Sequence, residues 1–89
     1  MYSIIDIESN GAGYRKESII EVAIFRYDGH IITDQFISLV NPESEITPFV
    51  QKLTKITSKM VKTAPRFHEI AKRIINFSSP LLLIAECRK

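Results

Sequence analysis

Two carboxylates stand one residue apart near the start of the chain, Asp6 and Glu8 in the stretch SIIDIES. Ile4, Ile5 and Ile7 around them are β-branched and the run is short, which favours a strand, and in a strand side chains at i and i+2 emerge on one face. Two carboxylates about 6 Å apart repel by about 3 kcal/mol at an effective dielectric near 20. A hard divalent cation such as Mg2+ would offset this, because it takes oxygen ligands, accepts one or two protein carboxylates and keeps several waters. Solvent at the strand end would also relieve the repulsion, and the spacing alone leaves both readings open.

The other groups that could do chemistry are less suggestive. His30 adjoins an Asp-Gly turn and His68 lies on the polar side of a helical pattern, so each reads as a solvated surface histidine. Cys87 has no base near it in sequence and reads as an incidental thiol rather than a nucleophile. Glu21 falls within an apolar run, where its charge needs a partner. Lys52, Lys55, Lys59 and Lys62 would form a basic stripe if one helix carried them all. Such a stripe could meet a phosphate backbone through counterion release, although a solvated face is the plainer reading.

Several elements must position these groups. After the first strand, NGAGYRKES is rich in turn formers and charge and predicts a loop. Ile19 to Tyr27 is nearly continuous in apolar residues, as in a strand buried on both sides. Asp28-Gly29 separates it from HIITDQFISLV and predicts a hairpin to an antiparallel third strand, which Asn41-Pro42 ends. Thr47 reads as an N-cap before a first-turn proline, Pro48, opening a short helix through about Leu53. In TAPRFHEIAKRIINF, Phe67, Ile70, Ala71, Ile74 and Ile75 recur with the helical period and predict an amphipathic helix. Ser78-Ser79-Pro80 stops it, and LLLIA predicts a last buried strand, parallel to the first because a helix connects them. The order is β-β-β-α-β in an α/β mixed sheet.

Eighty-nine residues suit one small domain, and 45% hydrophobic with 25% charged residues is globular composition. A net charge of +2 provides no whole-molecule field for nucleic acid or membrane, so any such case must come from local patches. A single cysteine excludes an internal disulfide and fits a reducing compartment. The longest apolar stretch, Leu81 to Ala85, is far too short to span a bilayer, and the expectation is a cytoplasmic protein without membrane contact.

At four places the chain resembles the DEDD superfamily of 3′-to-5′ exonucleases, in the branch typified by the proofreading epsilon subunit of bacterial DNA polymerase III. DIESNG matches that family's D-x-E-T-T-G at Asp6, Glu8 and Gly11, with Ser9 and Asn10 replacing two threonines. IIEVAI matches I-I-E-I-G-A at Ile19, Ile20 and Glu21, and LTKITSKM matches L-T-G-I-T-x-x-M at Leu53, Thr54, Ile56, Thr57 and Met60. Pro65, Phe67 and Glu69 match P-x-F-x-E. The blocks occur in the family's order and cover almost the whole chain.

The resemblance implies a ribonuclease H-like exonuclease fold, here truncated after its fourth strand, so that residues 1–89 form a single partial exonuclease domain. It implies that Asp6 and Glu8 are catalytic ligands of a two-metal site holding Mg2+ or Mn2+, with Asp6 bridging the ions. The backbone of Ser9, Asn10 and Gly11 would hold the terminal nucleotide, Leu53 and Thr54 would pack on its base and sugar, Met60 would pack beneath that loop, and Glu21 would buttress the metal loop. The implied partners are a single-stranded DNA or RNA 3′ end and a DNA polymerase.

Two departures qualify this. Lys55 stands where the family has glycine, so a positive φ there would be strained. The family's H-N-x-x-F-D and H-x-A-x-x-D are missing: the chain runs LLLIAECRK, with Glu86 and Cys87 at the His-Asn position. Two acidic ligands and the base are therefore absent, and the chain alone is expected to be inactive. The alternative is a catalytically dead nucleic-acid-binding or protein-interaction module of the same fold, self-associating through an uncovered sheet.

Overall fold

The computed structural model describes the backbone of residues 2–10, 19–78 and 82–88 and the side chains of 2–10 and 19–77. Its strands are β1 (Tyr2–Ser9), β2 (Ile19–Tyr27), β3 (Ile32–Leu39) and β4 (Leu82–Arg88), and its helices α1 (Pro48–Thr54), α2 (Ser58–Val61) and α3 (Phe67–Ser78). The strands form one sheet in the order β3-β2-β1-β4. β1 and β3 are antiparallel to β2, and β4 runs parallel to β1, as a strand reached through helices must. The expected β-β-β-α-β order and mixed sheet are thus present, with β1 inside the sheet.

Alternation along β1 directs Ser3, Ile5 and Ile7 toward α3 and Tyr2, Ile4, Asp6 and Glu8 to the opposite face. Ile5, Val22, Ile24 and Val40 pack on Ile70 of α3, with Phe67, Ile74 and Phe77 around them. Beyond one end of this core, Ile20 packs with Ile46, Val50, Ile56 and Val61, which fastens the two short helices to the start of β2. Arg26 ties the end of α3 to the sheet: its Nε–H donates to the Phe77 carbonyl at 3.0 Å and its guanidinium lies 4.4 Å over the Phe77 ring. A cation at a helix C-terminus also meets the helix dipole favourably.

The structure departs from expectation in four places. The hairpin is wider than a two-residue Asp-Gly turn: β3 begins at Ile32, and Asp28 Oδ1 accepts hydrogen bonds from the amides of His30 at 2.8 Å and Ile31 at 3.0 Å, so both residues are turn rather than strand. Ile75 is 68% exposed and does not join the apolar stripe, whereas Phe77 does. At about 100° per residue, Ile75 lies about 120° from the centre of the stripe defined by Phe67, Ile70, Ile74 and Phe77. The four lysines do not share one helix, because α1 ends at Thr54 and α2 begins only at Ser58. Met60 does not pack beneath a loop; it is 44% exposed, and its sulfur accepts from the Thr57 amide at 3.4 Å at the start of α2.

Candidate functional site

Asp6 and Glu8 lie near the C-terminal end of β1 on one face of the sheet, flanked on one side by Ala23 and Glu21 of β2 and on the other by Glu86 and Arg88 of β4 in backbone register. Both side chains are half-buried, and Oδ1 of Asp6 and Oε1 of Glu8 are shielded from solvent. Glu21 stands directly opposite Glu8 across the antiparallel ladder, a like-charge placement that is unfavourable on its own. Two hard oxygen donors held at one end of a central strand match the preference of Mg2+ or Mn2+, so the residues present fit a divalent cation. Among the described residues no three His, Cys, Asp or Glu side chains converge as one ligand cluster, so Glu21 lies beside the pair rather than completing it.

The substrate-side residues occupy two segments. β1 ends in a register shift between Glu8 and Ser9, which brings Ser9 opposite Ile19. Irregularities of this kind redirect a strand where pairing ends. Ser9 and Asn10 are both buried, and Asn10 Nδ2 donates to Ser44 Oγ at 3.1 Å, joining the end of β1 to the loop before α1. Gly11 lies outside the described residues.

Leu53 and Thr54 close α1, whose N-cap is Thr47 as expected, its hydroxyl accepting from the Val50 amide at 3.3 Å. Leu53 is half exposed. The Thr54 hydroxyl donates to the Val50 carbonyl at 2.8 Å and accepts from the Ile56 amide at 3.1 Å, which leaves its methyl for contact. Lys55 then takes φ 67° and ψ 10°, and its amide donates to the Gln51 carbonyl at 2.9 Å. This is the left-handed helix cap that glycine serves without strain. The position does require a positive φ, and the lysine carries the cost.

Val50 and Ile56, which bracket Leu53 and Thr54, pack on Ile20, the residue before Glu21, and Glu21 faces Glu8. The α1–α2 segment thus sits at the end of the sheet that carries the carboxylates but packs on its α3 side, because Ile20 and Glu21 point to opposite faces. His30 and His68 are exposed, as expected of solvated histidines. The sequence reading missed Phe49, which is 73% exposed on α1. The available signal was its position next to Val50, since adjacent residues of a short amphipathic helix cannot both face the same core.

An Exonuclease family model, of RNase T type, matches residues 3–88. The chain is 33% identical over 84 residues to the PolC-type DNA polymerase III of Caldanaerobacter subterraneus subsp. tengcongensis, a match covering 94% of this chain and 6% of that protein. It is 34% identical over 73 residues to the 3′-5′ exonuclease DinG of Staphylococcus haemolyticus, covering 82% of this chain and 8% of that one. Among solved structures it is similar to Exonuclease X in complex with 5′ overhanging duplex DNA, with a TM-score of 0.72 and 27% identity over 83% of this chain and 43% of that chain. The architecture is therefore that of the ribonuclease H-like exonucleases, and the chain spans less than a tenth of the curated relatives it matches and under half of the solved exonuclease.

Proposed function

The chain belongs to the Exonuclease family, and on that footing we propose that it forms the N-terminal portion of a divalent-metal-dependent 3′-5′ exonuclease acting on phosphodiester bonds at DNA 3′ ends. Residues 1–89 are one partial exonuclease domain. The observation that carries this reading is the placement of Asp6 and Glu8 on one face at the C-terminal end of a central strand.

In this reading Asp6 and Glu8 are the metal ligands. The backbone of Ser9, Asn10 and Gly11, with Leu53 and Thr54, receives the terminal nucleotide. The cation, when bound, supplies Lewis-acid stabilisation of a phosphoryl oxygen and a water acidic enough to attack at neutral pH. The protein keeps the two donors fixed on a rigid strand, while the Asn10–Ser44 bond holds the loop that follows. Leu53 offers apolar surface to a sugar or base. DNA as substrate and a polymerase as the larger setting are supported by the DNA bound to Exonuclease X and by the PolC-type relative.

The second reading, a binding module without catalysis, is favoured by Glu86 and Cys87, which stand where the family has His-Asn. Fluorescence anisotropy with a labelled single-stranded DNA separates the two. The exonuclease reading expects Mg2+ to tighten binding, the Asp6→Asn variant to lose that gain, and a 3′-phosphate to weaken binding relative to a free 3′-hydroxyl. Affinity indifferent to Mg2+ and to the 3′ end would overturn it.

A further inference from the structure

The outer surface of α1 and α2 is at once apolar and basic. Phe49 is 73% exposed, Leu53 50% and Met60 44%. Phe49 and Leu53 are four residues apart on one helix and so share a face. Lys52, Lys55, Lys59 and Lys62 around them are exposed, and no carboxylate occurs between Glu45 and Glu69. The ion pair formed among the described residues, Arg66 with Glu43, uses none of these lysines. Glu43 and Glu45 line a cavity together with Lys59 and Lys62, which leaves Lys52 and Lys55 as the cations beside Phe49. An exposed ring next to such cations can bind single-stranded nucleic acid, with a base stacked on the ring and the cations on phosphates. The buried side of the same segment, through Val50 and Ile56, packs on Ile20 at the end of the sheet where β1 carries Asp6 and Glu8, on the opposite face.

We propose that Phe49, with Leu53 next to it, is a stacking platform for a base on the 5′ side of the terminal nucleotide, and that Lys52 and Lys55 hold the phosphates flanking that base. The inference rests on the exonuclease reading above and extends its nucleotide site along α1. Stacking on Phe49 is tolerant of sequence, since every base has a π face. The platform therefore orders the strand without selecting it.

The test is binding of labelled oligothymidylate to the whole chain in EDTA, where no hydrolysis can occur. Phe49→Ala weakens binding by about 5- to 150-fold, the loss expected for one stacked base, while Phe49→Trp retains it. The exposure of Phe49 leaves the fold intact in both variants, as circular dichroism checks. An oligonucleotide with an abasic site at the stacked position abolishes the difference between wild type and Phe49→Ala. Lys52→Ala lowers the slope of log affinity against log salt by about one unit. If the wild type binds and Phe49→Ala binds equally well, this inference alone fails. A loss that Trp does not restore and that persists on every abasic strand also overturns it. If neither protein binds DNA, with or without Mg2+, it fails together with the exonuclease reading.

Discussion

Lys55 holds a left-handed backbone at φ 67° in a residue that has a Cβ, a conformation that costs L-residues about 1–2 kcal/mol. Glycine loses more chain entropy on folding but adopts this φ freely, so Lys55→Gly is expected to stabilise the chain by about 0.5–1 kcal/mol in urea unfolding; lower stability would contradict the strain. Asp6 differs, because its environment is charged rather than strained. Asp6→Asn is expected to abolish the Mg2+-dependent rise in Tm, and a rise that survives the substitution would contradict a role for Asp6 as ligand. At the hairpin, the amides of Ile31 and His30 donate to the exposed Asp28 carboxylate and hold its pKa below the ordinary aspartate value. A depressed folded pKa means that the contribution is present above the unfolded value and fades as pH falls through the folded one. The Ile31 amide resonance should therefore titrate with a midpoint below that of an unperturbed aspartate, and a midpoint above it would refute the turn geometry.

Among the elements, α3 shows most clearly which side chains the sheet uses. Ile70 is 3% exposed at the centre of the core, so Ile70→Ala should cost about 2–5 kcal/mol in chemical denaturation. Ile75→Ala should stay within about 0.5 kcal/mol of wild type, because its side chain is largely in solvent. The two residues look alike in the sequence, where both fit the i, i+3, i+4 rule. Only the direction of the stripe distinguishes them, and tertiary packing at Phe77 fixes that direction. The four strands and α3 were legible because β-branched runs, Asn-Pro and Ser-Ser-Pro mark their limits by local physics. Helix α2, by contrast, is four residues long and is capped by Thr57, whose hydroxyl accepts from the Met60 amide at 3.2 Å. A single turn carries no periodic signal. For the site, the spacing of Asp6 and Glu8 foretold a common face. The placement of Glu21 opposite Glu8 depends on strand register and could not be read locally.

For the molecule as a whole, β3 is an edge strand, and Ile32 and Ile37 on it are 47% and 51% exposed, with Ile31 in the adjoining turn at 64%. An apolar edge of this kind is a template for pairing with another chain. Concentration-dependent self-association of the 89-residue chain is therefore expected in analytical ultracentrifugation, and Ile37→Lys should suppress it; a monomer at every concentration would show the edge to be benign. No described helix is long and apolar enough to cross a membrane. The account as a whole turns on whether the two acids on β1 receive one divalent ion. Mn2+ titration followed by NMR tests this directly, since a bound paramagnetic ion broadens the nearest resonances first. The account predicts early broadening centred on Asp6 and Glu8 that disappears in Asp6→Asn, and broadening that spares both residues would contradict it.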